Sequence, residues 1–344
     1  WLLEPQSTNL INYSEDFSDV SWVKENVTVQ SNTETSPSGQ LNASYVIPDI
    51  GSGLTPRITY VFSSQSGVTY QASVFVKKFN TDWIRLLSTG ATSDTVQAYY
   101  DISNGVIGTG GSPNLATIED YGNGWYRLGL KIVSTNTSSG ATFRVQFAGG
   151  DNNPIITTDG TEKFICWGAM LEQQSFATSY IPTQGATSTR LQDIATNSGN
   201  ASLINSTEGI LFADIAALAN SGNYRFISIS DGTYNNRIFL NYTPVSNQIT
   251  ISILVGGVQS YSALYTLSSS IDFNKIALKW KLNDFALWIN GTKVSFNNAN
   301  ATFPPNTLNK INFSNELGSV FHFQGKTKAL AVYKTALKDA NLRC

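Results

Sequence analysis

The sequence predicts an all-β protein, with two β-sandwich (jelly-roll) domains in tandem and a short C-terminal helix. Segments that alternate apolar and polar residues recur along the whole chain, and Gly, Asn, Asp and Pro separate them. Only 13% of the residues are charged and 12% are aromatic, whereas charged residues make up about 25% of an average globular protein. Disordered chains have the opposite composition, with high charge and few aromatic residues. Short strands with such turns between them are typical of β-sandwiches.

The first domain is assigned to residues 1–185. Its clearest strand signals are about ten residues long and end at turn sequences such as "SNG" (103–105) and "GGDNNP" (149–154). These segments are "TYQASVFVKKF" (69–79), "AYYDIS" (98–103), "WYRLGLKIVS" (125–134), "TFRVQFAG" (142–149) and "KFICWGAML" (163–171).

Residues 186–204 are predicted to connect the two domains, because they are polar and show little alternation. The second domain is assigned to residues 205–344. Its strongest local signal is "FALWINGTKVSF", in which two strand-like runs flank Asn290-Gly291, a pair favoured in type I′ hairpin turns. The final "TALKDANLRC" predicts the short helix. Because the chain begins at Trp1 rather than Met, we expect it to be a fragment or a processed piece.

Several function classes are disfavoured by the residues present. The net charge is −2 and Lys and Arg form no run, so a nucleic-acid partner is not expected. Apolar runs stay well short of the ~20 residues that span a bilayer, so no membrane insertion is expected. The single histidine, His322, lies in the strand-like "VFHFQG", and one His with two Cys does not make a zinc site. Strands also lack the alternating carboxylates of jelly-roll hydrolases. We therefore expect a non-catalytic protein.

A cluster of acids near the start of the chain suggests a metal. Glu15, Asp16 and Asp19 lie within five residues, and calcium sites use loop carboxylates with loose spacing. Asp214 or Asp231 could serve in the same way. No D-x-D-x-D-G loop is present, so no cofactor is expected, and a structural calcium ion is left open.

Saccharide binding needs exposed aromatic rings beside amide, carboxylate and guanidinium groups. Alternation assigns most tryptophans to buried strand faces, namely Trp125, Trp167, Trp280 and Trp288. The candidates that remain lie at turns or strand ends next to polar residues. They are Trp83, Arg85 and Tyr99 in the first domain, and Tyr224, Tyr234, Asn235 and Asn236 in the second.

The first domain resembles a module of bacteriophage structural proteins. The resemblance is carried by "LLEPQSTNLINYSEDFSDVSWVKENVTV", "YQASVFVKK", "GNGWYRL" and "WGAMLEQQSFATSYIPTQGATSTRLQD". It covers nearly all of 1–192, and the opening and "TSYIPT" are its most specific parts. The module is similar to carbohydrate-binding jelly rolls and recurs in tail-fibre, head-fibre and other virion surface proteins. Related stretches occur in secreted bacterial polysaccharide-active proteins.

The second domain resembles the concanavalin A-like, laminin G-type sandwich through "KIALKWKLNDFALWINGTKVSF" and "KTKALAVYKTALKDANLRC". Together these resemblances imply a phage virion surface protein, a fibre or decoration component, that binds host-surface glycans. They also imply other virion proteins as partners and a homo-oligomer, most plausibly a trimer, which would supply multivalency. Two alternatives to this interpretation stay open. One is a secreted bacterial polysaccharide-binding module of a carbohydrate-active enzyme. The other is a purely structural virion protein without a ligand.

Overall fold

The structure is a computed structural model that describes residues 1–220, 222–315 and 320–342. Almost all of its regular structure is β-strand, as the sequence predicts. The strands are β1 (Leu2–Leu3), β2 (Ser7–Asn9), β3 (Trp22–Glu25), β4 (Val27–Thr35), β5 (Leu41–Pro48), β6 (Gly51–Leu54), β7 (Arg57–Ser64), β8 (Thr69–Lys78), β9 (Trp83–Thr89), β10 (Val96–Asp101), β11 (Val106–Gly111), β12 (Ala116–Asp120), β13 (Trp125–Val133), β14 (Ser138–Ala148), β15 (Ile156–Thr158), β16 (Phe164–Glu172), β17 (Ser188–Arg190), β18 (Glu208–Ala217), β19 (Arg225–Ser230), β20 (Arg237–Tyr242), β21 (Gln248–Val255), β22 (Val258–Thr266), β23 (Asn274–Lys281), β24 (Phe285–Ile289), β25 (Thr292–Asn297), β26 (Lys310–Asn312) and β27 (Gly325–Tyr333).

The chain divides into two compact units. The first unit is Gln6–Leu191, and the second unit is Trp1–Pro5 together with Gln192–Cys344. This division differs from the predicted domains of 1–185 and 205–344. β1 pairs with β27 of the second unit, and β17, inside the predicted connection 186–204, pairs with β2 of the first unit.

The first unit is a sandwich of two six-stranded antiparallel sheets. The front sheet has the order β11-β10-β9-β14-β7-β3, and the back sheet has the order β12-β13-β8-β16-β5-β4. The core between them includes Phe17 and Trp22, which are 0% and 1% exposed. Their ring centroids lie 5.0 Å apart. The acid-rich opening loop is therefore held to the core by Phe17 within it and by Trp22 at the start of β3.

One buried amide ties the opening of the first unit to its end. Asn9 Nδ2 donates to the carbonyl oxygens of Ile181 (2.8 Å) and Ala169 (3.2 Å). Its Oδ1 accepts from the backbone N–H groups of Ile11 and Leu171, both at 3.1 Å. The two stretches that carry the phage-type resemblance most specifically are thus bonded to each other.

The second unit is also a sandwich of two sheets, with the orders β1-β27-β18-β23-β24-β25 and β22-β21-β20-β19-β26. The predicted hairpin is present between β24 and β25, with φ of +49° at Asn290 and +79° at Gly291. The predicted C-terminal helix is shorter than expected, a 3₁₀ turn over Asp339–Leu342. Within the described residues, no helix has the length and apolar character needed to cross a bilayer.

Candidate functional site

The outward side of the front sheet is polar and is the best candidate for a binding surface. Along β9, Ile84 and Leu86 are fully buried in the core. Because successive side chains of a strand point to opposite faces, Trp83, Arg85 and Thr89 point outwards. All three are partly exposed.

A row of polar residues crosses five strands of this outward face. The strand register places Arg85 opposite Tyr99 on one side and opposite Gln146 on the other. Arg57 lies opposite Gln146, and Glu25 lies opposite Arg57. The next row places Arg144 opposite Leu87. Three arginines from neighbouring strands are therefore concentrated on one sheet face.

The charges on this face are not balanced. Arg57 forms an ion pair with Glu25 and also donates to the carbonyl oxygen of Thr55 (3.1 Å). Arg85 and Arg144 differ: among the described residues, no carboxylate lies within ion-pair distance of either guanidinium. The Nε atoms of both arginines are buried and have no hydrogen-bond partner in the same ranges.

Neutral groups hold the two unbalanced arginines in place. Arg85 donates to the side-chain oxygens of Gln97 and of Gln146, the latter at 3.5 Å, and Arg144 Nη2 donates to Thr89 Oγ1 at 3.3 Å. Partial burial lowers the pKa of Arg85 and of Arg144, and repulsion from neighbouring arginines lowers each pKa further, while the more distant Glu25 partly offsets this for Arg144. Both remain charged near neutral pH, because an ordinary arginine pKa exceeds about 12.

Trp83 lies at the end of this face, beside a pocket. It occupies the row next to Arg85, opposite Ala148. Thr81 in this pocket is only 8% exposed, and its hydroxyl has no hydrogen-bond partner among the described residues. The pocket has a volume of about 670 Å³ and is lined by Thr81, Asp82, Trp83, Phe147, Ala148, Gly149, Asn153, Ile155, Ile156, Thr157 and Glu162.

The loop over residues 149–154 is anchored close to Trp83. Asp151 accepts hydrogen bonds from the backbone N–H groups of Thr109 (2.8 Å) and Gly110 (2.9 Å). The hydroxyl of Thr109, with these amides, holds the pKa of Asp151 below its usual value. A Cβ at Gly108 would lie 2.3 Å from Asp151 Oδ1 and 3.0 Å from the Trp83 ring. Glycine at 108 thus allows the carboxylate and the indole to pack over the strand.

The structure brings together the three site residues predicted in the first unit, but it corrects the part assigned to one of them. Trp83, Arg85 and Tyr99 lie on the same face of β9 and β10. Tyr99 is only 1% exposed, so it offers no open ring to a ligand. The Arg85 guanidinium lies 5.6 Å from the Tyr99 ring centroid, and this contact orients the arginine.

Sequence reasoning missed Arg144, Gln146 and Thr81. The signal for the first two was present, because alternation in "TFRVQFAG" places Arg144 and Gln146 on the face opposite Phe143 and Val145. Their proximity to Arg85 depends on the pairing of β14 with β9. The sequence does not specify that pairing.

The predicted residues Tyr224 and Tyr234 lie at the two ends of an exposed strip in the second unit. Tyr224 is 44% exposed and Tyr234 is 47% exposed. Phe321 has an exposed ring and a backbone φ of +54°, a conformation that bulky residues rarely adopt. We call this surface the aromatic strip; in contact order it comprises Tyr224, Phe321, Phe226, Phe239, Arg237 and Tyr234.

Asn235 and Asn236 shape the loop beside this strip. Asn236 Nδ2 donates to Asp231 (2.9 Å), and its Oδ1 accepts from the Gly256 N–H (2.9 Å). The carbonyl oxygen of Asn235 accepts from the Gly257 N–H, also at 2.9 Å, and its side chain is exposed. Of the two amides, only that of Asn235 is therefore well placed to meet a ligand.

The acid cluster near the start of the chain is occupied by local hydrogen bonds. Glu15 accepts from Asn42 Nδ2 (2.8 Å) and from the Tyr180 hydroxyl (3.1 Å). Asp16 accepts from the Ser18 N–H at 3.0 Å and Asp19 from the Ser21 N–H at 2.8 Å. Glu15 and Asp16 border a pocket of about 460 Å³ lined by Tyr13, Glu15, Asp16, Ser18, Ser31, Asn32, Asn42, Pro182, Thr183 and Gln184.

Other reactive groups are placed in structural settings. Over the described residues, no three His, Cys, Asp or Glu side chains come together as a metal-binding group. His322 is 7% exposed, and its backbone bridges to Phe226. Cys166 is a buried free thiol, and burial raises its pKa well above the usual value.

No family model matches the chain, and no curated protein matches it. Solved structures share the β-sandwich architecture at low identity. The CBM40 module of the Ruminococcus gnavus IT-sialidase is 16% identical with a TM-score of 0.36, over 44% of this chain and 92% of the module.

Two further structures show a similar likeness. The native heptameric SAP-like pentraxin of Limulus polyphemus is 13% identical with a TM-score of 0.33, over 43% of this chain and 72% of the pentraxin chain. Domains LG4-5 of the mouse laminin alpha1 chain are 10% identical with a TM-score of 0.29, over 82% of this chain and 86% of theirs. Scores this low do not identify a ligand. None of these three structures supports the phage-virion interpretation.

Proposed function

We propose that this chain is a non-catalytic glycan-binding protein, and that its principal binding surface is the outward face of the front sheet in the first unit. The observation that carries the proposal is the position of Trp83, a partly exposed indole between a pocket of about 670 Å³ and a row of guanidinium and amide groups. Sugar rings present apolar C–H faces that pack on aromatic rings and hydroxyls that bond to polar groups.

The surrounding pocket fits the same ligand class. Asp82, Asn153, Thr157 and Glu162 supply side-chain hydrogen-bonding groups along its wall. The unpartnered Thr81 hydroxyl is a further donor. We propose that the protein acts without a cofactor; a structural calcium ion near Glu15 stays a separate hypothesis.

We further propose that the chain acts on a virion surface, as a tail-fibre, head-fibre or decoration component that holds host-surface glycans. The support is the sequence resemblance of residues 1–192 to phage structural modules. Other virion proteins and further copies of the chain, assembled as a trimer, would then be its partners. Two alternatives remain. A secreted polysaccharide-binding module would differ from this proposal in its setting, and a structural virion protein would differ in having no ligand.

A glycan array probed with the chain displayed at high valency tests the binding proposal. For the best ligand, Trp83→Ala should weaken binding by about tenfold or more, because it removes the stacking surface. Trp1→Ala is the matched control, since Trp1 is 80% exposed and belongs to the second unit. Equal binding by both variants, or no glycan bound at high valency, would overturn the proposal. Release of reducing ends from a bound polysaccharide would overturn the non-catalytic assignment.

A further inference from the structure

We propose that the glycan held on this face is acidic, and that Arg85 and Arg144 together bind its anionic substituent, a carboxylate or a sulfate ester. This inference rests on the proposed function and specifies the substrate class of the same surface. Its grounds are the charge balance and the spacing of the two arginines.

Arg85 and Arg144 form no ion pair among the described residues; Glu25 attracts Arg144 only from beyond ion-pair distance and is itself paired with Arg57. Partly burying a positive group in a protein is unfavourable unless an opposite charge or sufficient hydrogen bonds replace its water. Elsewhere in the first unit this compensation is present. Arg57 is paired with Glu25, and the buried Arg127 donates to the Thr178 carbonyl oxygen at 2.6 Å and to a serine hydroxyl.

The compensation of Arg85 and Arg144 is weaker, since neither has an ion pair in the described ranges and Arg144 has a single hydrogen bond of 3.3 Å, and their positive charges also repel each other. Within the described ranges their polar partners are neutral, and both Nε–H groups lack an acceptor. An anion between the guanidiniums would supply the missing acceptors and would relieve the repulsion. Guanidinium groups match the planar geometry of carboxylates and the oxygens of sulfate especially well.

The spacing also suits a single anion. Arg85 and Arg144 occupy diagonal positions on the neighbouring antiparallel strands β9 and β14, where Cα atoms lie about 7–8 Å apart. Two long side chains at that separation can converge on one group. Gln146 lies opposite Arg85 and is 1% exposed. Its side chain donates a 3.0 Å hydrogen bond to the Pro154 carbonyl oxygen, so it forms a fixed part of the surface beneath the two guanidinium groups.

Trp83 lies two residues from Arg85 along β9, which is about 7 Å in a strand. A sugar ring on the indole would therefore place a substituent, or the neighbouring residue of the saccharide, within reach of the guanidiniums. The face combines a stacking group with an anion-binding pair at the scale of one or two sugar units.

The test compares acidic and neutral probes with the full chain. The carboxylate probe is an oligogalacturonate and its neutral match is the methyl ester; the sulfate probe is dextran sulfate and its match is dextran. We expect Arg85→Gln and Arg144→Gln each to weaken binding of the preferred acidic probe by about tenfold to a hundredfold. Arg144→Lys, which keeps the charge but loses the forked geometry, should fall between wild type and Arg144→Gln. Binding should weaken in 1 M salt, where the screening length is about 3 Å.

Lys131→Gln is the matched control for net charge, since Lys131 lies on β13 of the back sheet. It should bind the acidic probes like wild type. Melting curves of the arginine variants without ligand exclude misfolding, because removal of an unpaired cation should not lower the melting temperature. A preference for oligogalacturonate or for dextran sulfate identifies the anion.

Two outcomes separate this inference from the proposed function. Neutral probes that bind as tightly as acidic ones, with loss in Trp83→Ala and none in the arginine variants, would overturn the acidic assignment and leave glycan binding intact. Equal loss in Lys131→Gln and Arg85→Gln would also overturn it, because the effect would then be one of net charge. A failure of all glycans, acidic and neutral, to bind would overturn both.

Discussion

Replacement of Asn9 by alanine should be among the most damaging single changes in the first unit. The side chain is 0% exposed and makes four hydrogen bonds to backbone groups of the opening and closing segments. Alanine leaves the N–H groups of Ile11 and Leu171 and two carbonyl oxygens without this partner.

The magnitude follows from those four groups. A buried donor left unsatisfied costs about 1–3 kcal/mol, and a carbonyl costs less because it has a second lone pair. We therefore expect Asn9→Ala to lower the free energy of unfolding by about 3–5 kcal/mol, a large part of the 5–15 kcal/mol typical of a domain. Thr8→Ala is the control: Thr8 is a neighbour on β2 whose hydroxyl, as far as the described residues go, bonds only to the exposed Thr189 hydroxyl (2.7 Å), and its loss should cost less than about 1 kcal/mol.

Urea unfolding followed by hydrogen–deuterium exchange with peptide resolution would measure this change in the intact chain. Peptides containing the Ile11 and Leu171 amides should lose protection in Asn9→Ala, while peptides of the second unit keep theirs. If Asn9→Ala costs no more than Thr8→Ala, the opening and closing segments are not held together by this amide.

Three further predictions concern stability and the position of the indole. Burial raises the pKa of the Glu172 carboxyl despite three hydrogen bonds that favour its charged form. The contribution of this group to the free energy of unfolding is therefore fully present below its pKa in the unfolded chain, near 4.5, and is lost as the pH rises through its pKa in the folded protein. Glu172→Gln should therefore gain stability relative to wild type between pH 4 and pH 7 in urea titrations, and a pH-independent difference would contradict this. In thermal melts, Gly291→Ala should cost about 1–2 kcal/mol because φ is +79°. Gly140→Ala is the control: its new Cβ would lie 4.0 Å from the Ser138 hydroxyl oxygen, an ordinary contact, and stability should change by less than about 0.5 kcal/mol. Asp151→Ala should release the loop over Trp83 and weaken glycan binding in calorimetry without abolishing it; unchanged affinity would show that the loop does not position the indole.

Local features of this fold were predictable from the sequence because they depend on neighbouring residues. Alternation located β8 within a residue of its observed end, and Asn290-Gly291 identified a turn that needs positive φ at both positions. The same alternation placed Trp125 and Trp280 in buried positions, where they are 4% and 1% exposed.

Features that depend on strand pairing could not be predicted from the sequence. Tyr99 is buried because Arg85 lies opposite it on β9 and covers its ring, and no pattern within "AYYDIS" indicates that. The addition of Leu2–Leu3 to the second unit depends on pairing with Gly325–Lys326, more than 300 residues away in the sequence.

In the candidate site, too, some residues could be predicted from local sequence and others depend on strand pairing. Trp83 and Arg85 could be singled out from local context, since both lie near the start of a strand after a turn. Arg144 joins them only because β14 lies beside β9. Within the described residues neither arginine has a carboxylate at ion-pair distance, and this feature, on which the acidic-ligand inference depends, is a property of the assembled sheet.

The most direct measurement of the central claim is a crystal structure of the chain with its best-binding glycan from the array. A sugar ring packed on Trp83, with its anionic group between Arg85 and Arg144, is the predicted result. A glycan bound instead on the aromatic strip of the second unit, or in the pocket beside Glu15, would contradict the assignment of the binding surface to the front sheet.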